Sequence, residues 1–331
     1  MKVSLLKIIS LLLFISASTI QLSYGQISGD SPEMRIVLMA DINESYGSTH
    51  YGDYVDSAMV LVERWQPDFI LFAGDMIAGQ SLALSEEEVR AMWAGFDETI
   101  GQPLREIKIP FAFTLGNHDG SGSGNFDHER ELAKKYWSPH KPELNYINSE
   151  HFPFYYSFKF QDLIVISWDA SNHLITEEEI EWIEQQLSQD VAKEASKRIM
   201  LGHLPLYAVA EGRNREGEIL KDADDHFEMM KRNNVDYYFS GHHHAWYPAK
   251  KDGLKMIHSG AQGSGPRPLI GSDLPPRRTI TLLEREKGSF TFTITTFDLE
   301  NEMEVISPEE LPVVIEGING RIERYDYHNN E

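Results

Sequence analysis

The sequence contains no cysteine. Disulfides, thiolate zinc sites and cysteine nucleophiles are therefore excluded together. Long apolar runs are also missing. The stretch from Ile8 to Ile15 falls well short of the ~20 residues that a helix needs to cross a bilayer. Positive charge is scarce, with 30 Lys plus Arg against 52 Asp plus Glu and a net charge of −22. Such a field argues against nucleic acid as the main partner. There is no internal repeat and no low-complexity linker, so one domain is the simplest organisation.

What is present begins with a leader pattern. Lys2 and Lys7 precede the apolar stretch, and small and polar residues follow down to Ser23-Tyr24-Gly25. This describes a secretory signal peptide over residues 1–25, cleaved after Gly25, in preference to a membrane anchor. The expectation is an exported chain, periplasmic or secreted. Its domain would run over residues 26–300 and an acidic tail over 301–331.

The body of the chain reads as α/β. Met34 to Asp41 is a buried strand ending in a carboxylate. Val55, Ala58, Met59, Val62 and Trp65 mark a helix, and Phe69 to Ala73 form a second strand closing on Gly74-Asp75. Strand–helix–strand of this length packs as a parallel βαβ unit. Ser85 with Glu88 and Thr176 with Glu179 have the spacing of capping boxes. A hairpin is predicted over 154–168, a helix near 222–233, and antiparallel strands at 279–283 and 289–297. Residues 120–150, rich in Gly, Ser, Asn, His and Pro, form an excursion with one helical piece near 126–137.

The apolar run Phe111–Leu115 ends in Gly116-Asn117-His118-Asp119. Taken alone, Gly-Asn is ordinary turn chemistry. Four other runs, however, also end in polar groups: Asp41, Gly74-Asp75, Gly202-His203 and Gly241-His242-His243-His244. Oxygen and imidazole donors suit divalent first-row metals, and α/β sheets place ligand sites at the carboxyl ends of strands. His242 and His244, two apart, share a face if extended and can reach two metals if on a turn.

In order and approximate spacing over residues 34–264, Asp41-Ile-Asn43, Gly74-Asp75, Gly116-Asn117-His118-Asp119, Gly202-His203 and Gly241-His242-His243-His244 resemble the calcineurin-like metallophosphoesterases. The stretch Gly202 to Glu211 is most similar to the purple acid phosphatase branch. The resemblance implies a four-layer α/β/β/α sandwich with two mixed sheets. It also implies a centre of two divalent or mixed-valence ions (Fe, Mn or Zn) and a phosphate-ester substrate. Asp75 would bridge the ions, Asp41 and His244 would hold the first, and Asn117, His203 and His242 the second. His118 would face the phosphoryl group and protonate the leaving oxygen, oriented by a hydrogen bond to Asp119. The implied activity is that of an acid-phosphatase-like phosphomonoesterase. A phosphodiesterase or a non-catalytic phosphate- or glycan-binding relative are the alternatives.

Two residues depart from the family pattern. The histidine usual two positions after the first Asp is Asn43, and the tyrosine of the purple branch is replaced by Ala78. The first ion thus lacks its usual fourth protein ligand, a place for the Asn43 amide oxygen or water. His243 is expected to point away from the site, and Arg213, Arg215 and Arg267 to lie on solvated loops.

Overall fold

The strand Met34–Met39 is buried on both faces, and its side chains divide by parity. Ile36 and Leu38 face one apolar layer, Val37 and Met39 another. Leu163–Ser167 divides in the same way, with Leu163 and Val165 on one side and Ile164 and Ile166 on the other. Side chains alternate along a strand, so a continuous apolar run marks a strand covered on both faces.

In the computed structural model, which describes residues 32–326, these strands belong to two mixed sheets. The first holds five strands in the spatial order Thr293–Asp298, Thr279–Arg285, Met34–Met39, Phe69–Phe72 and Phe111–Phe113. The second holds nine: Val314–Gly317, Gly320–Arg324, Tyr247–Lys251, Leu254–His258, Tyr237–Ser240, Lys197–Leu201, Leu163–Ser167, Tyr156–Phe160 and Asn145–Asn148. In the five-stranded sheet Met34–Met39, Phe69–Phe72 and Phe111–Phe113 run parallel and the other two pairings are antiparallel, whereas the nine-stranded sheet has a parallel centre from Leu163–Ser167 to Leu254–His258 flanked by antiparallel pairs. The parallel strands therefore end at a common rim, which carries the polar groups.

Three apolar clusters define four layers. One lies between the sheets and includes Tyr156, Phe158 and Phe239. A second joins the five-stranded sheet to the helices Asp53–Trp65, Glu86–Phe96 and Asp127–Trp137. The third joins the nine-stranded sheet to Glu177–Ser188 and Ala223–Arg232. This is the α/β/β/α arrangement. Trp137 stacks on Phe113 at a centroid distance of 4.0 Å, anchoring the strand that leads into Asn117. Burial of such a ring is worth about 1.5–3 kcal/mol. From the other sheet, the Tyr156 hydroxyl donates to the Phe113 carbonyl at 2.5 Å and accepts from its N–H at 3.0 Å.

Local sequence signals mostly hold. Ser85 and Glu88 make both bonds of a capping box. At the second site, Thr176 accepts from Glu179 N, but the Glu179 carboxylate accepts from Asp169 N at 2.6 Å instead of returning to Thr176. The acidic tail expected after residue 300 requires correction. Val314–Gly317 and Gly320–Arg324 pair with each other, and the latter adds to Tyr247–Lys251 at the sheet edge. Ile315 and Ile322 are buried there. The leader expected over residues 1–25 lies outside the described residues.

Candidate metal centre

Asp41, Asp75, His242 and His244 each stand just beyond the end of a strand, and all four have positive φ, at 52°, 56°, 65° and 52°. For a residue other than glycine this conformation costs roughly 1–2 kcal/mol, although Asp and His enter it more readily than most. Cross-braces hold it. Asp41 N donates to Gly74 O at 3.0 Å, Gly241 N to His203 O at 3.0 Å, and His242 N to both Asp41 oxygens at 3.1 Å. Strain concentrated at the ends of separate strands is characteristic of a functional site.

The turned-out side chains form two groups that share Asp75. Asp75, His203 and His242 make one, and Asp41, Asp75 and His244 the other, with the ligand atoms of each group within 4.8 Å of one another. All five residues are buried. Asn117 joins the first group through Oδ1, 3.0 Å from His203 Nε2. Its Nδ2 donates to Gln80 Oε1 at 2.6 Å, which orients the amide.

Hydrogen bonds determine which imidazole nitrogen is free. His203 Nδ1 donates to Ala73 O at 2.8 Å and His244 Nδ1 to Gly265 O at 2.9 Å, so Nε2 of each is the nitrogen that faces the carboxylates. His242 is reversed. Its Nε2 lies 2.9 Å from Glu218 Oε2, and its buried Nδ1 has no hydrogen-bond partner. A ligating histidine typically binds metal through one nitrogen while the other donates to a carbonyl or carboxylate.

The electrostatics fit a cation. The ion-pair partners of Asp41 and Asp75 are imidazoles: His244 for the first, His203 and His118 for the second. Buried carboxylates need a pair or a metal. Burial pushes the Asp75 carboxyl up, yet His203 and then His118 hold it well below the usual range. Burial lowers His203, but Asp75 more than offsets this and raises it to about 9, so the pocket draws positive charge. Burial drives His242 down to about 3, leaving a neutral ring of the kind a metal requires. Donor set, free nitrogens and charge thus suit divalent ions, and Asp41, Asp75, Asn117, His203, His242 and His244 would hold them.

The role expected for Asp119 changes. His118 Nδ1 donates to Gly79 O at 2.7 Å, leaving Nε2 on the side of Asp75 Oδ2 at 3.9 Å. Asp119 does not orient it. The Asp119 carboxylate accepts from the N–H groups of Met76, Ile77 and Gly116 at 2.7, 2.9 and 2.8 Å. It ties together the loops that carry Asp75 and Asn117. Burial and then Asp75 raise its pKa.

Asn43 is buried, with Oδ1 accepting from Ser264 Oγ at 2.7 Å. His243 points away from the carboxylates and is fully buried. It accepts from Val209 N at 3.2 Å through Nδ1, and its Nε2 faces Glu218 O at 2.9 Å. Arg213 is not a solvated loop arginine: it pairs with Glu218, and its Nη1 lies 3.2 Å from His242 Nε2. Arg215 is exposed and also pairs with Glu218. Sequence reasoning missed Glu218, Gln80 and the Gly79 carbonyl. All three lie in loops with no periodic pattern, and only the fold brings them to the site.

Comparison with known proteins gives three findings. Residues 34–246 match the family model described as calcineurin-like phosphoesterase. The chain is 25% identical over 176 residues to purple acid phosphatase 22 of Arabidopsis thaliana, covering 50% of this chain and 38% of that protein's length. Among solved structures, a dimetal phosphatase from Danio rerio superposes with a TM-score of 0.51 at 12% identity, over 80% of this chain and 96% of that one. GAP50, described as the anchor in the inner membrane complex of Plasmodium, superposes with a TM-score of 0.53 at 14% identity, over 84% and 88%. At these identities the structural matches bear on the fold.

Proposed function

The chain belongs to the calcineurin-like phosphoesterase family, and we infer that it is a hydrolase acting on phosphate esters through a two-metal centre, an acid-phosphatase-like phosphomonoesterase. The observation that carries this reading is the pair of buried ligand groups sharing one carboxylate, Asp75. The similarity to a purple acid phosphatase and the fold shared with a dimetal phosphatase support it. Divalent ions bound there would offset the charge of the phosphoryl oxygens and acidify water at the site.

The chain's own residues account for the rest of the chemistry. The bond from His118 Nδ1 to Gly79 O fixes the ring plane. Nε2 then serves as the proton-carrying atom, placed to stabilise or protonate the departing ester oxygen. Asp119 keeps the His118 loop registered against the Asp75 loop through three backbone bonds. Tyr46 is exposed, with its ring centroid 5.2 Å from that of His118. Specificity between monoester and diester belongs to the loops around it. Export is part of the proposal, supported by the basic, apolar and small-residue order of residues 2–25. It is tested by finding whether the mature chain begins after Gly25.

One observation favours a second reading, a non-catalytic phosphate-binding relative. The Asp41 group contains three His or Asp ligands, and the Asn43 oxygen is already engaged by Ser264. The fold match to an anchor protein is compatible with such a role. Metal analysis and hydrolysis of a generic monoester and diester, for wild type and His118→Ala, separate the two. An enzyme is expected to bind about two metals, and His118→Ala to keep them while losing roughly 10²–10⁴ in rate. Metal-loaded wild type that cleaves neither ester would overturn the catalytic reading.

A further inference from the structure

We propose that Glu218 is a positioning residue of the centre, its carboxylate fixing the tautomer and ring orientation of His242 so that Nδ1 presents its lone pair beside Asp75 and His203. The proposal rests on the reading of His242 as a metal ligand. A carboxylate can only accept, so the 2.9 Å contact between Glu218 Oε2 and His242 Nε2 places the ring proton on Nε2. That leaves Nδ1 as the acceptor, and Nδ1 is buried with no hydrogen-bond partner. With Nε2 taken by Glu218, Nδ1 is the atom His242 has left to offer to the Asp75–His203–His242 group.

Glu218 is held from two sides by consecutive histidines. His242 takes its side chain and His243 its main chain. Val209 N donates to His243 Nδ1 at 3.2 Å, so the His243 proton is on Nε2, which donates to Glu218 O at 2.9 Å. The backbone at 218 is thereby pinned, and the reach of its carboxylate is set by side-chain length. Arg213 shares Oε2 with His242, while Arg215 donates to Oε1 at 2.7 Å. The competing account is that Glu218 merely balances the charge of these two arginines.

Two substitutions separate these accounts. Glu218→Gln keeps the reach and an oxygen acceptor for His242 but removes the charge. Glu218→Asp keeps the charge but withdraws the oxygen from Nε2, and the pinned backbone cannot follow. Binding of Zn²⁺ and Mn²⁺ is measured by chelator competition and by bound stoichiometry. The melting temperature of the chelator-treated proteins is recorded alongside, with exposed Glu216→Gln as a charge control. Glu218→Asp is expected to weaken one of the two metals by about 10–100-fold, the range for loss of such a partner. Glu218→Gln should stay within a few-fold of wild type and Glu216→Gln should match it. The reverse order, Gln weak and Asp intact, would assign Glu218 to charge balance and overturn the proposal. Equal metal binding in all variants would do the same. Wild type that binds no metal would instead overturn the functional reading on which the proposal stands.

Discussion

Adding one methyl group at Gly116 tests whether close approach of two strand ends builds this centre. Gly116 has φ −91° and ψ −179°, ordinary extended backbone, so alanine is conformationally acceptable and the cost is purely steric. A Cβ there would lie 2.1 Å from Asp75 Oδ1 and 2.4 Å from Asp75 N. Restoring an ordinary contact requires movement of about 1 Å between main chains, in an interior packed too closely to absorb it. The two strands are hydrogen-bonded neighbours, and Asp119 ties their end loops together. The methyl must therefore splay the strands or displace the Asp75 carboxylate. Overpacking of this kind costs about 1–3 kcal/mol, which for a chain near this size lowers the melting temperature by roughly 2–6 °C. Because Asp75 belongs to both ligand groups, both metals should weaken, and a displacement near 1 Å should slow catalysis by about 10²-fold. Calorimetric melting with chelator and with metal, together with titration of Mn²⁺, provides the readout. Gly124→Ala is the control, since its Cβ meets nothing closer than Asp127 Oδ2 at 4.0 Å. A Gly116→Ala protein that melts with wild type and binds metal as tightly would refute the reasoning.

Glu179 supplies a pH prediction. Burial, and then Asp169, raise its pKa above the usual glutamate value. The folded state keeps a proton that the unfolded chain releases above about pH 4.3, so stability is fullest below that pH and declines as pH rises toward the folded pKa. Glutamine at 179 keeps an acceptor for Asp169 N and cannot ionise. Melting temperatures should coincide near pH 4 and diverge in favour of Glu179→Gln by pH 8; parallel curves would remove the assignment. Deleting residues 313–331 removes the strands that bury Ile315 and Ile322. The loss of those two side chains alone is worth about 3–6 kcal/mol, so the truncated chain should melt several degrees lower or aggregate through its open edge. Unchanged melting would restore the view of this segment as a mere tail.

What the sequence determined by itself was local in origin. A strand covered on both faces must be a continuous apolar run, so Met34–Met39, Phe69–Phe72, Phe111–Phe113, Lys197–Leu201 and Tyr237–Ser240 could be read residue by residue, and so could the metal-capable groups that end them. The four-layer architecture came from the resemblance that those groups carry. Tertiary structure alone decided the partners. The proton on His118 Nδ1 goes to Gly79 and not to Asp119 because the Asp75 and Gly116 loops present three N–H groups to that carboxylate. His242 uses the opposite nitrogen from His203 and His244 because a loop carries Glu218 against it from 24 residues away in sequence. The final strands were illegible for a related reason. Their short, half-polar pattern has meaning only against the open edge of Tyr247–Lys251. A hydrogen bond between distant segments leaves no periodicity in either of them, so only the folded chain reveals which donor meets which acceptor.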